Sequence, residues 1–128
     1  MTISNSSNTA FRYMQTVERR TKVYEANAVA QGEVIEMIQM FSGEEVVDVH
    51  LHYDALGSGT QLSVGDGGVA ARYIGTTTAT TAGRANLSTA ADVGPGYKYT
   101  ADDTIDVSVV TGPISGTIRV TVLFMRSF

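Results

Sequence analysis

Four polar side chains at alternating positions, Asp48, His50, His52 and Asp54, are where this chain comes nearest to chemistry. On an extended strand successive side chains point to opposite faces, so all four share one face. A His-x-His pair on a strand can offer two imidazoles to one metal ion, and Asp48 is the carboxylate nearest to hand. A complete site would need a third histidine from a later strand and a glutamate soon after the pair. The chain has only two histidines, and Asp54 lies too close to them to fill that place. A polar outer face is the reading adopted here, with Asp48, His50 and His52 kept as metal candidates and a cupin-like metal protein as the corresponding alternative.

Other candidate motifs are incomplete. Gly65-Asp66-Gly67-Gly68 follows a strand pattern but lacks the helix and lysine of a phosphate loop, and is read as a turn whose glycines can take positive φ. Asp102, Asp103 and Asp106 do not have EF-hand spacing. No Gly-x-Ser-x-Gly elbow marks a nucleophile, so no catalytic residue and no cofactor are assigned. Tyr97 and Tyr99 share a strand face and could stack on a sugar; packing inside the core or at an interface is the competing reading.

The elements that would position these residues are strands. Val47, Val49, Leu51 and Tyr53 alternate with the polar set; Ile105, Val107 and Val109 alternate with Asp106 and Ser108; Ile118, Val120, Val122 and Phe124 alternate with Thr117, Arg119 and Thr121. That period of two places one apolar face inward on each strand. Glu33 to Phe41 also fits helical spacing, but only ten residues separate Gly32 from Gly43, so a strand is expected. Gln61 to Val64 and Val69 to Ile74 read as a hairpin, and Thr76 to Thr81 as an exposed edge or loop. About eight short antiparallel strands with these turns predict one all-β domain, a single jelly-roll-like sandwich over residues 23–128.

Residues 1–22 read as an extended, polar and basic N-terminal arm. Arg12, Arg19, Arg20 and Lys22 against Glu18 leave this stretch at +3, and hence −7 for the remainder of a chain whose net charge is −4. An acidic body argues against nucleic-acid binding, which needs clustered Lys and Arg. With no cysteine, no disulfide or thiolate site can form. The start has neither a basic n-region nor an apolar h-region, and no run of apolar residues is long enough to span a bilayer. No membrane association is expected, and synthesis is expected in a cytoplasm. Two aromatic residues in a polar leader need something to pack on, so Phe11, Tyr13 and Met14 are expected anchors, with Arg12, Arg19 and Arg20 pairing with acidic groups of a partner. Leu123 and Met125 fall on the outward side of the last strand, which suggests cover by another subunit.

The order of a leader, Gly32-Glu33-Val34-Ile35-Glu36-Met37-Ile38, the strand Glu45 to Tyr53, Leu62-Ser63-Val64-Gly65-Asp66-Gly67, Arg72-Tyr73-Ile74, Tyr97 to Val107 and Gly116 to Val122 resembles small β-sandwich proteins encoded among the head genes of tailed bacteriophages. The resemblance covers roughly residues 23–125. It implies a non-enzymatic capsid decoration, or cement, protein. Such a protein, often a homotrimer, sits on the surface of the virion and binds the major capsid protein. A tail or fibre domain that binds host glycans is the alternative binding function.

Overall fold

The computed structural model describes residues 17–87 and 97–126. Within them lie nine strands: β1 (Glu18–Val29), β2 (Val34–Met40), β3 (Glu44–Tyr53), β4 (Gln61–Asp66), β5 (Ile74–Thr78), β6 (Gly83–Asn86), β7 (Tyr97–Lys98), β8 (Asp103–Thr111) and β9 (Ile114–Arg126). A five-stranded sheet runs β1-β9-β3-β6, with β7 beside β3, and a four-stranded sheet runs β2-β8-β4-β5. All pairings are antiparallel. Successive strands β1 and β2, β3 and β4, and β8 and β9 lie in opposite sheets, the interleaving that makes a jelly-roll sandwich. The expected all-β sandwich is therefore the observed fold.

Strict alternation builds the core. In β9, Ile114, Ile118, Val120, Val122 and Phe124 are buried, while Ser115, Arg119, Leu123 and Met125 are not. In β8, Ile105, Val107 and Val109 meet them from the other sheet's inner face, with Leu62, Val64 and Ile74 beside them. Each such side chain withdrawn from water contributes about 1.5–3 kcal/mol.

Three expectations change. The inward set on β3 is Val46, Val49 and Leu51, all fully buried, and Val47 is only half-buried. A β-bulge between Val46 and Asp48 inserts one residue against β9, so a period of two counted across it picks the wrong valine. The bulge also turns Glu44 inward while leaving His50 and His52 outward.

Residues 18–22, expected at the end of the arm, form the first part of β1 and pair with Phe124 back to Val120 of β9. Their period is hidden because the inward positions carry Arg20 and Lys22 before Tyr24 and Ala26. Gly65 and Asp66 belong to β4, and the return strand begins only at Ile74, paired with Val64. Gly65 is not needed for a positive φ; it is needed because the Val69–Ala70 backbone lies directly over it.

Candidate functional site

The outward face of the five-stranded sheet carries polar side chains from β6, β3, β9 and β1. Register places Arg84, His52, Arg119 and Val23 side by side in one cross-strand row, and Asn86, His50, Thr121 and Thr21 in the next. Asp48, Leu123 and Arg19 form a third. Two shallow depressions share both histidines. One, of about 500 Å³, is lined by Arg19, Thr21, His50, His52, Arg119 and Thr121; the other, of about 260 Å³, by His50, His52, Arg84, Ala85 and Asn86.

The histidines are already engaged. Asp48 Oδ2 lies 3.0 Å from His50 Nε2, and Asp48 Oδ1 accepts the Val49 N–H. Arg119 lies 3.0 Å from His52 Nδ1. A guanidinium can only donate, so Nδ1 carries its lone pair and the ring proton sits on Nε2. Partial burial, then the charges of Arg119, Arg84 and His50, hold His52 below the usual histidine range. At neutral pH the face therefore presents N–H donors. Among the described residues no three His, Asp or Glu side chains are placed to hold a metal ion, and the candidates Asp48, His50 and His52 point to each other or to Arg119. Chemically this arrangement suits an anion.

The residues expected to bind partners are dispersed. Phe11, Arg12, Tyr13 and Met14 lie outside the described residues. Arg19 faces outward, next to Leu123. Leu123 and Met125 lie on the outward face as expected, but each is half-buried within the chain.

Arg20 turns inward. It makes a bidentate pair with Glu44 at 2.6 and 2.7 Å, donates to Gln39 O, and stacks 4.2 Å from the Phe124 ring. An edge strand has no neighbour on one side, so a long side chain at its inward position can fold over the open end of the core. Burial works against the Glu44 charge, but hydrogen bonds from Arg20 and the Phe41 N–H outweigh it and hold the carboxyl below the usual glutamate range.

Glu44→Gln is expected to cost about 2–3 kcal/mol at neutral pH, because it leaves a half-covered guanidinium without its counter-charge. The stabilisation from a lowered carboxyl pKa is complete above the unfolded value of 4.5 and disappears as pH falls through the folded one. Urea unfolding at neutral and strongly acidic pH should show the difference between variant and wild type closing on acidification. An equal difference at both would contradict this account.

Arg84 and Arg119 escaped the sequence-based assignment. Arg119 sits between Ile118 and Val120 and so was legible as outward, whereas Arg84 lies in a stretch with no clear period. The tyrosine pair does not form a stacking platform: Tyr99 is buried, and the Tyr97 ring face is covered by Arg72 at 3.9 Å. The three aspartates serve local structure. Asp102 accepts the Ser42 N–H, Asp103 accepts the Gly67 and Thr104 N–H groups, and Asp106 accepts the Thr104 hydroxyl.

No protein-family model matches the chain, and no curated protein is significantly similar to it. Solved structures do share its fold. A chain in the capsid asymmetric unit of cyanophage Pam1 superposes with a TM-score of 0.74 at 21% identity, over 89% of this chain and 87% of that one. A chain in the capsid of Ralstonia phage GP4 gives 0.71 at 20% identity, over 88% and 86%. A chain in the acid-stable capsid of Helicobacter pylori bacteriophage KHP30 gives 0.64 at 16%, over 88% and 93%. This chain has the fold and size of proteins found in bacteriophage capsids.

Proposed function

We propose that this chain is a non-enzymatic decoration protein of a bacteriophage head, which binds the assembled shell as a homotrimer and strengthens it through contacts with the major capsid protein. The observation that carries the reading is the fold shared, over nearly the whole chain, with proteins of three phage capsids. The resemblance of the sequence to small β-sandwich proteins of phage head genes points the same way.

The physics suits the role. A shell-binding protein gains strength from many copies held at high effective concentration, and from modest contacts summed over a lattice. It needs a rigid body and adhesive surfaces. The leader, with Phe11, Tyr13 and Met14 as anchors and Arg12 as a charge partner, would add a segment that spends part of its contact energy on ordering. Leu123 and Met125 would lie near subunit contacts. The virion surface is the proposed location, after synthesis in the host cytoplasm.

Sedimentation tests it. The native protein is expected at three times the 13.6 kDa chain mass and should co-sediment with heads that lack it. A truncation should end at residue 16, since cutting at 22 would remove part of β1. That truncation is expected to lower head affinity by about tenfold or more through lost avidity. A monomer that ignores such heads would overturn the proposal.

A further inference from the structure

Among the described residues, arginine divides into two groups. Arg20 is paired with Glu44, Arg72 with Asp66, and Arg126 lies 3.4 and 3.5 Å from Glu18 and Glu44. Arg19, Arg84 and Arg119 have no carboxylate within ion-pair distance among the described residues, and all three line the two depressions that share His50 and His52. A chain of net charge −4 thus gathers, among the described residues, its uncompensated arginines on one sheet face. Arg84 and Arg119 flank His52 in one row, from the two strands on either side of β3. Folding gains no ion pair from this arrangement. An arriving anion would.

We infer that the outward face of the five-stranded sheet is a docking site for an acidic polypeptide segment, whose carboxylates are taken by Arg84, Arg119 and Arg19 with the Nε2–H of His52. Assigning that segment to the capsid rests on the function proposed above. The planar fork of arginine matches a carboxylate with two parallel hydrogen bonds, and a row of such forks reads successive acidic side chains. Thr21, Thr121 and Asn86 add neutral polar groups in the neighbouring row.

The boundaries of the face select against a polyphosphate chain. Asp48 lies at one end, and Asp54 and Glu25 at the other, where Glu25 accepts the Thr117 hydroxyl. A positive strip closed at both ends by carboxylates holds a few charges, whereas a nucleic-acid backbone needs a continuous track of cations. The other sheet of a second copy also carries acidic groups, Glu36 and Asp103. That contact is the competing occupant.

The test uses the full chain and a fluorescein-labelled octaglutamate peptide. Anisotropy is expected to show binding that weakens with added salt. Arg84→Gln/Arg119→Gln should weaken it by about tenfold or more, since both forks are lost. Arg119→Lys, which keeps the charge and loses the fork, should fall between. Lys22→Gln, off this face, should change it by less than about twofold. Unchanged thermal melting confirms that these exposed changes leave the fold intact.

Equal peptide binding by the double variant would overturn the proposal, as would stronger competition from oligothymidylate or inorganic phosphate than from unlabelled octaglutamate. Dissociation of the native oligomer by the double substitution would also overturn it, in favour of a second copy as the occupant. Head co-sedimentation separates the two claims. If the double variant loses the peptide but still sediments with heads at full affinity, the acidic segment does not belong to the shell. Wild-type protein that binds the peptide and never sediments with heads would leave the site standing and sink the decoration role.

Discussion

Asp66→Ala is expected to lower the unfolding free energy by about 3–5 kcal/mol, the loss that follows removal of one member from a buried charged network. The Asp66 side chain is 1% exposed and accepts four hydrogen bonds: from the Gly68 and Val69 N–H groups at 2.9 Å, Arg72 Nε at 2.6 Å and the Tyr99 hydroxyl at 3.0 Å. Tyr99 spends its single proton on Asp66, so Tyr73, 2.6 Å away, must donate to Tyr99. Burial raises both phenols well above the usual tyrosine range, so both keep their protons as donors at neutral and mildly alkaline pH. Arg72, held by the same carboxylate, lies on Tyr97, and Tyr97 packs edge-on against Tyr99 at 5.0 Å.

The network thereby joins the end of β4 to β7 and ties the two sheets together at one end of the sandwich. Alanine would strand a guanidinium, two amides and a phenol together. Urea unfolding checks this, with Tyr99→Phe as a milder companion at about 1–1.5 kcal/mol. A loss below 1 kcal/mol for the alanine variant would show that water replaces the carboxylate at little cost.

Gly65→Ala is the second severe change. A methyl group there would sit 2.1 Å from Val69 O, 2.4 Å from Ala70 C and 2.5 Å from Ala70 O, all backbone atoms. The loop cannot retreat freely. Val69 O accepts the Asp66 N–H, Ala70 O accepts the Ser63 hydroxyl, and the Tyr73 N–H donates to Val64 O. Displacement would cost about 1–3 kcal/mol of overpacking strain and roughly 1 kcal/mol for each hydrogen bond given up, about 3 kcal/mol or more in all. Hydrogen exchange should show the Asp66 and Tyr73 amides losing protection first, and chemical unfolding should show the total. A variant as stable as wild type, with those amides still protected, would rule the clash out. Because both substitutions act on one loop, the double variant should cost less than the two losses added.

How much of this was legible depended on the kind of signal. β8 and β9 announce themselves because every second residue is apolar over their length, and the sandwich follows from strands of that type in number. β3 was legible as a strand but not in its inward face, since a bulge leaves no mark in a pattern of alternating types. Only the first part of β1, residues 18–22, reads as the end of an arm, because Arg20 and Lys22 stand where a core strand would carry valine. Gly65 was legible as special, but for the wrong reason: turns and close backbone approaches both call for glycine, and only the fold shows which.

The candidate site was half visible. Asp48, His50 and His52 were placed on one outward face from their spacing. Their meaning changed once Arg84 and Arg119 were found on either side of His52, because pairing between strands distant in sequence turns a metal-like motif into a row of donors.

The free edge of β1 bears on behaviour at high concentration. Among the described residues β1 pairs on one side only, with β9, and the open side of such a strand would ordinarily invite strand-by-strand fusion between molecules, yet this border carries Glu18, Arg19, Lys22 and Glu25 and folds Arg20 back over its own core. A newcomer adding itself there would have to strip water from those ions. Crowded solutions of the protein should therefore concentrate without growing fibres, and neighbours are left to meet through their broad faces.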